Sequence, residues 1–186
     1  MRCEFFPDGR NITYVDHLNE EGTKVDGYEG PGEFKQEIHY KDTTLEMMEA
    51  LINRSISCVQ KLGYDCKASR LLGTPTDSQN FQPFGYWISR QNRVMDYWAG
   101  SLPGSMKCEC GLLGVCVDPT KWCNCDSGFD DWNYDGGELT QKEHLPVRAV
   151  AFGDTGDDQR FFKDRRLVTG LNRTILKPVN QQKITV

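Results

Sequence analysis

Several features that mark common classes of protein are missing from this sequence of 186 residues. It has no apolar run of about 18 residues that could cross a membrane, and no hydrophobic segment of a signal peptide follows Met1. Its 22 basic and 27 acidic residues give a net charge of -5, and no Lys/Arg cluster is long enough to follow a phosphate backbone. We therefore expect no nucleic-acid partner, and a membrane contact only through a transmembrane segment absent from this sequence.

Motifs for catalysis are also missing. The three histidines lie in no H-E-x-x-H motif, and the chain has neither a G-x-S-x-G nucleophile elbow nor a Gly-rich phosphate loop. His144 could act as a base, but no nucleophile or orienting group can be named beside it. The sequence therefore predicts a protein that is not an enzyme and has no catalytic residues.

Cysteine, by contrast, is abundant. The eight cysteines are Cys3, Cys58, Cys66, Cys108, Cys110, Cys116, Cys123 and Cys125. In an oxidising compartment cysteines pair as disulfides, whereas in the cytosol they stay thiols or bind metal. Three N-x-[ST] sequons, at Asn11, Asn53 and Asn172, favour the secretory route. We predict an extracellular glycoprotein in which these cysteines form disulfides.

The missing signal peptide leaves two interpretations of the N-terminus. The protein could be cytosolic, or the chain could be a piece of a larger secreted or membrane-anchored ectodomain. Cys3 favours the second interpretation, because its disulfide partner could lie upstream of the cut. We therefore expect the partner of Cys3 to be absent from this chain.

The order of patterns along the chain predicts strands, one helix and then loops. Residues 1–40 contain short alternating stretches separated by turn signals, which favour strands. Apolar residues at three- and four-residue steps predict a helix over 43–62, with a capping box from Thr43 to Glu46 and a stop at Gly63. From residue 64 onward frequent Gly, Pro, Asn and Asp predict loops held by disulfides, before a strand-like run within 145–152.

Two kinds of metal site deserve comparison with the disulfide interpretation. Residues 108–125 could bind zinc, but a C-x-C step suits a tetrahedral ion poorly. Asp154, Asp157 and Asp158 are weak calcium candidates, since they do not follow the EF-hand spacing and acidic loops are commonly just solvated. Neighbouring cysteines in a C-x-C step seldom pair with each other, so we expect these to reach across the loop or to Cys58 and Cys66, with the connectivity left open.

A set of motifs resembles one known family. These are Cys58-x7-Cys66, Ser69-Arg70-Leu71-Leu72, Tyr97-Trp98-x-Gly100, Cys108-x-Cys110-Gly111, Cys116-x-Asp118-Pro119, Cys123-Asn124-Cys125-Asp126 and His144-Leu145-Pro146-Val147. In type and order they resemble the fibrinogen-like module of the contactin-associated proteins, also called the Caspr or neurexin IV family. The resemblance covers about residues 1–157, with a loose match over 1–40.

The resemblance implies an α+β fold. The expected architecture is a fibrinogen C-terminal-like domain, with a twisted antiparallel sheet, one main helix and a loop-rich region stapled by disulfides. We assign this domain to residues 1–170, truncated at both ends, and a tail or linker to 171–186. One departure supports the truncation, because the family's closing cysteine is absent from residues 158–175.

The predicted function is adhesion or protein recognition at a cell surface, without catalysis or a required cofactor. The resemblance implies a cell-surface or matrix partner of the kind that carries immunoglobulin-type adhesion domains. Aromatic residues dominate interface hot spots. The contact candidates are therefore Tyr86, Trp122, Phe129, Trp132 and Tyr134. The alternatives are a calcium-dependent, lectin-like module and a zinc-binding protein.

Overall fold

The chain folds into three antiparallel sheets with short helices, in a computed structural model that describes residues 2–9, 11–18, 22–74, 82–156, 166–167 and 175–178. The strands are β1 (Arg2–Phe5), β2 (Asn11–Tyr14), β3 (Thr23–Lys24), β4 (Phe34–Glu37), β5 (Ser55–Lys67), β6 (Tyr86–Ile88), β7 (Trp132–Leu139), β8 (Ala149–Phe152), β9 (Arg166–Leu167) and β10 (Ile175–Pro178). The α-helices of the described residues are α1 (Leu45–Asn53) and α2 (Glu109–Leu113). A mixed fold dominated by sheet agrees with the predicted α+β class.

The largest sheet has five strands in the order β1-β2-β10-β5-β7, so β5 lies inside it and β7 at one edge. A three-stranded sheet follows the order β4-β8-β6, and β3 pairs with β9. Residues 175–178, which the sequence places in a tail, form β10 between β2 and β5. A short strand in a polar terminal segment has too little apolar periodicity to be found from sequence.

Helix α1 starts near the predicted position but ends nine residues early. The Thr44 side chain, rather than that of Thr43, accepts a hydrogen bond from the Met47 backbone N–H at 3.3 Å. Met48 and Ile52, one turn apart, are fully buried, so the apolar stripe does pack into the core. The predicted helix over 43–62 is therefore correct only for its first half.

The second half of the predicted helix is strand β5. Its Gln60, Leu62, Tyr64 and Cys66 side chains are buried at every second residue, which is the period of a strand. Ile56, expected on the buried helix stripe, is 59% exposed. Gly63 does not end a helix but lies in mid-strand opposite Gly136. A short apolar stretch fits both periods, and pairing with two neighbouring strands decides in favour of the sheet.

Aromatic side chains occupy the centre of the core. Trp87 and Trp98 are fully buried, and their indole N–H groups donate to the carbonyl oxygens of Tyr97 (2.7 Å) and Asp135 (3.0 Å). The Phe152 ring stacks on Tyr64 with 4.5 Å between centroids. Phe152 is the last residue of β8, all four residues of which are buried. The strand predicted within 145–152 therefore exists and contributes to the core, but it begins only at Ala149.

Candidate recognition surface

Three disulfides fix the loop-rich region. Cys66 is bonded to Cys125, Cys108 to Cys123 and Cys110 to Cys116. The first bond ties the segment 108–125 to β5, and the other two close loops within it. No bond joins neighbours in a C-x-C step. The segment is thus a compact unit attached to the edge of the large sheet.

Two of the eight cysteines are free thiols. Cys58, which was expected to be disulfide-bonded, is buried on β5 as a free thiol, and Cys3 is exposed on β1. Cys58 lies opposite Leu176 of β10, eight residues before the bonded Cys66 on the same strand, and takes part in none of the three disulfides. Burial raises the pKa of Cys58 to about 12, against the opposing influence of Lys142 and Arg90. It therefore behaves as a small core residue rather than a nucleophile.

Two buried carboxylates hold the disulfide-bonded segment in place. Asp135, on β7, accepts the backbone N–H groups of Asn124 at 3.0 Å and Cys125 at 2.7 Å. Asp126 accepts the N–H of Leu71 at 2.8 Å. Burial raises the pKa of Asp135 to about 6, and it also raises the pKa of Asp126. Neither role was predicted from the sequence, although the alternation of β7 places Asp135 in phase with buried Leu139.

The outer side of β5 and β7 presents an exposed aromatic surface, which we call the aromatic face. It consists of Lys61, Gly63, Asp65, Lys67, Trp132, Tyr134, Gly136 and Glu138, which lie in directly opposed pairs across the two strands. Trp132 is 48% exposed and Tyr134 is 50% exposed. Alternate residues of a strand point to the same side, so both rings face solvent together.

Two glycines provide the base on which the Tyr134 ring lies. A Cβ atom on Gly63 would stand 2.5 Å from the Tyr134 hydroxyl oxygen, and one on Gly136 would also collide with it. Only glycine at both positions lets the ring lie this close to the backbone of the two strands. The result is a tyrosine whose position is fixed while its outer surface stays open.

The free edge of β7 is occupied by loops rather than open to another strand. The Asn124 side-chain amide donates to the Tyr134 carbonyl at 3.0 Å, and the Gly100 N–H donates to the Glu138 carbonyl at 3.0 Å. Between these two positions, the indole N–H of Trp98 donates a hydrogen bond to the carbonyl oxygen of Asp135. The edge of β7 is therefore closed to the addition of another strand, and the part of β7 that remains open to solvent is the aromatic face.

The five predicted contact residues lie in three places. Phe129 is 48% exposed, and its carbonyl accepts the N–H of Ala68 at 3.2 Å, which places its backbone one residue beyond Lys67, the partner of Trp132 on β5. Trp122 is half-buried in the disulfide-bonded segment under the Lys107 ammonium, 5.2 Å from its ring centroid. Tyr86 is half-buried on β6 of another sheet, against Gly32. The structure thus groups Phe129, Trp132 and Tyr134 and leaves the other two apart.

Comparison with known proteins identifies relatives of this chain. It is 59% identical to Neurexin-4 of Drosophila melanogaster over 156 residues, which are 84% of this chain and 12% of Neurexin-4. The resemblance to the contactin-associated protein and neurexin IV family is confirmed. The chain is also 39% identical to human Contactin-associated protein 1 over 148 residues, 80% of this chain and 10% of that protein. The chain therefore spans about a tenth of the length of these relatives, and no family model matches it.

This segment of the Caspr and neurexin IV family also has an exposed apolar surface that sequence analysis missed. It is formed by Leu112, Leu113, Val115 and Val117, of which Leu113 and Val115 are 64% and 67% exposed. The Cys110–Cys116 bond and Gly114, in the left-handed conformation with φ of 71°, turn these side chains outward. The signal in the sequence was the run Leu112 to Val117, too short for a strand or helix core.

The described residues that were weighed as metal ligands form disulfides or an ion pair instead. Among the described residues, the sulfurs of Cys108 and Cys123 and the carboxylate of Asp135 lie within 4.8 Å of one another. The two sulfurs are bonded to each other, and a disulfide sulfur is not a thiolate ligand. Asp154, a calcium candidate, forms an ion pair with Arg70 (Nε to Oδ2, 3.0 Å), while Asp157 and Asp158 lie outside the described residues.

The predicted glycosylation sites differ in accessibility. Asn53 is exposed at the end of α1, and its side-chain oxygen accepts a hydrogen bond from Arg90 at 3.3 Å. Asn11 is half-buried on β2, and Asn172 lies outside the described residues. None of the helices in the described part of the chain has the length and hydropathy needed to cross a bilayer.

Proposed function

We propose that this chain is a non-enzymatic, fibrinogen-like module of an extracellular cell-surface protein, and that it recognises a protein partner through the aromatic face and Phe129. Its kinship with Neurexin-4 and Contactin-associated protein 1 supports a role in adhesion at cell contacts. Three disulfides fit an oxidising compartment. The observation that carries the proposal is the pair of half-exposed rings, Trp132 and Tyr134, on one side of β7, with a third half-exposed ring, Phe129, three residues before Trp132.

Rigidity is what makes this surface suitable for recognition. Binding costs free energy for every side chain that must be ordered, so a preorganised contact retains more of its interaction energy. Tyr134 is positioned by Gly63 and Gly136, and β7 is held by β5 on one side and by capping loops on the other. Phe, Trp and Tyr bring a large apolar area with few rotatable bonds. A partner would find this surface already formed.

The first partner to test is a contactin-type surface protein, because the human relative is named for association with contactin. Such a protein also fits the predicted immunoglobulin-type adhesion partner. The human relative matches this chain over only 10% of its length, so the partner could contact parts of it that this chain lacks. The test must therefore measure binding by this chain itself.

The experiment measures binding of the secreted chain to cells that display a contactin-type protein. We expect the triple variant F129S/W132S/Y134S to bind at least about thirtyfold more weakly, since hot-spot residues contribute about 2 kcal/mol or more each. The control L113S/V115S removes two apolar side chains of the disulfide-bonded segment that are more exposed than those three. Thermal unfolding verifies that both variants fold. Unchanged binding by the triple variant, with folding intact, would exclude this surface.

A further inference from the structure

The four leucine and valine residues of the disulfide-bonded segment are all open to solvent. We call them the apolar patch, and its members are Leu112, Leu113, Val115 and Val117. They are 40% to 67% exposed, although such side chains are usually buried. The most exposed two, Leu113 and Val115, flank Gly114 inside the short loop that the Cys110–Cys116 bond closes. Side chains this open project from the surface, so a ligand must cover the patch rather than enter it.

The surroundings of the apolar patch carry no net charge. Residues 111–117 have no charged side chain and none with a hydroxyl or amide group. Charged residues begin at both ends with Glu109 and Asp118, and Lys107 and Lys121 follow further out. Two acidic and two basic residues balance one another. The chemistry that selects an occupant for this patch is therefore apolar contact.

Backbone donors of the patch are bonded within the segment itself. The N–H groups of Leu112 and Val115 donate to carbonyl oxygens four and five residues earlier, at 3.0 and 2.9 Å. The N–H of Val117 donates to Asn124 Oδ1 at 3.0 Å. In hydrocarbon an unpaired N–H is costly, because no water replaces the missing bond. The patch can therefore leave water without stranding these donors.

The composition and size of the patch favour a lipid surface over a protein. Protein hot spots are enriched in Trp, Tyr and Arg, whereas Leu and Val are under-represented. A stable protein interface also covers about 800 Å² on each partner. Four partly exposed side chains present only a few hundred Å². A bilayer adapts to the shape of an inserted side chain, and Leu and Val transfer into its hydrocarbon favourably.

The groups next to the patch suit the level of the lipid headgroups. A Cβ atom on Gly111 would collide with the Trp122 carbonyl, so the Trp122 backbone lies directly beside the start of the patch. The Lys107 ammonium lies 5.2 Å from the centroid of the Trp122 ring. Trp and Lys are typical anchors at the boundary between membrane and water. Asp118 follows the patch, and because a carboxylate is costly in hydrocarbon, it limits the depth of insertion.

We propose that the apolar patch inserts shallowly into a lipid bilayer and gives this chain a reversible membrane contact, separate from protein recognition by the aromatic face. Sequence analysis allowed a membrane contact only through a transmembrane segment, so this contact is of a different kind. The aliphatic side chains enter the boundary between headgroups and acyl chains, while Lys107 and Asp118 stay among the headgroups. Because the buried area is small, the contact is weak and orients a protein that already lies at a cell surface.

The test measures how much of the folded chain sediments with phosphatidylcholine vesicles at lipid concentrations up to several millimolar. L113S/V115S should lower the partition coefficient about tenfold or more, because it removes two apolar side chains from the contact. The control I56S/V94S removes side chains that are 59% and 57% exposed elsewhere, and should change it less than twofold. V115F, which enlarges the patch, should strengthen binding several-fold, a gain that misfolding does not explain. Thermal unfolding verifies that all three variants fold.

Lipid charge and salt distinguish apolar insertion from electrostatic adsorption. Because the patch and its neighbours are neutral, adding phosphatidylserine to the vesicles should not strengthen binding, and about 0.5 M sodium chloride should not release the chain. Three results would each overturn the inference. They are the absence of vesicle binding, binding that needs phosphatidylserine and is lost in salt, and equal vesicle binding by L113S/V115S and the parent.

Cells with and without the contactin-type protein separate this inference from the proposed function. Both present a bilayer, so L113S/V115S should lower the binding to cells that lack the protein and leave unchanged the increment that the protein adds. F129S/W132S/Y134S should lower the increment alone. If L113S/V115S instead lowers only the increment, the patch contacts the protein partner and the inference is wrong. If the triple variant keeps the increment, the proposed function fails while the membrane contact stands.

Discussion

Asp135 shows how one buried side chain can position a whole segment. Its two carboxylate oxygens accept the N–H groups of Asn124 and Cys125, and these residues join the disulfide-bonded segment to β7. A carboxylate with two such donors is favoured in its charged form, yet burial outweighs this and raises the pKa to about 6. The charge is therefore retained near neutral pH at a cost in stability.

That cost predicts a pH dependence. An unfolded Asp titrates near pH 3.8, so between about pH 4 and pH 6 the folded protein binds more protons than the unfolded chain. Stability contributed by Asp135 should therefore be greatest below about pH 4 and fall as the pH rises through about 6. We expect the unfolding free energy of the parent relative to D135N to drop by about 3 kcal/mol over this window.

Urea titrations at several pH values measure this difference. D131N, which removes an exposed carboxylate near the same strand, is the matched control and should not reproduce the change. At pH 7.5 D135N should be less stable than the parent by about 1 to 3 kcal/mol. The reason is that the amide NH2 of asparagine would face one of the two backbone N–H groups that Asp135 accepts. A difference between parent and D135N that does not change with pH would contradict the raised pKa.

The two thiols should differ sharply in reactivity. Cys3 is exposed, whereas Cys58 is 1% exposed with its pKa raised to about 12, so its thiolate is scarce at neutral pH. Iodoacetamide should label Cys3 alone in the native protein and both residues in denaturant. The variant C3S should take no label when native. Labelling of native C3S at a rate close to that of the unfolded chain would show that Cys58 is accessible.

At the scale of elements, the start of α1 offers a direct test of the cap. Thr44 and Thr43 are adjacent, and only the Thr44 side chain accepts from the Met47 N–H. T44A should therefore lower the free energy of unfolding by about 1 kcal/mol, the usual contribution of an N-cap hydroxyl. T43A should change it by less than about 0.5 kcal/mol, as expected for an exposed position. Chemical denaturation compares them, and equal losses would contradict the cap assignment.

The disulfides should contribute unequally because they close loops of different length. Cys66–Cys125 spans 59 residues and Cys110–Cys116 spans 6. Loop entropy alone predicts losses of about 4 and about 2 kcal/mol when each pair is replaced by alanine. Denaturant unfolding of C66A/C125A and C110A/C116A measures this order. If C66A/C125A loses less stability than C110A/C116A, then strain in the native bonds or residual structure in the unfolded chain outweighs the loop entropy.

The start of α1, the strands of residues 1–40 and the disulfide-rich character of 108–125 could be predicted from local patterns. The end of α1 could not, because Ile56, Val59 and Leu62 fit a helix stripe until strand pairing with β7 and β10 is known. Likewise, β10 depends on neighbours more than a hundred residues away in the chain. Local propensity is weaker than such pairing.

Much of the candidate site was also hidden from the sequence. Aromatic composition suggested five contact residues, but only the fold tells Trp132, on an open face, from Trp122, which lies under Lys107. Gly63 was predicted to end a helix, and Gly136 falls in the region predicted as loops, yet both are mid-strand positions beneath Tyr134. Burial of Asp135 depends on a segment folded over it by distant disulfides. These features are tertiary, and no spacing encodes them.

For the molecule as a whole, disulfides and metal binding at the same sulfurs exclude each other. Loop entropies of about 2, 3 and 4 kcal/mol for the three bonds approach the whole stability of an ordinary domain, about 5 to 15 kcal/mol. We therefore expect the native chain, after removal of glycans, to weigh about 6 Da less than the reduced chain, because each bond releases two hydrogens. EDTA should leave the melting temperature unchanged, whereas dithiothreitol should lower it until the chain is largely unfolded at room temperature. One tightly bound zinc ion per chain, with melting that responds to EDTA, would instead favour the cysteine-cluster metal site.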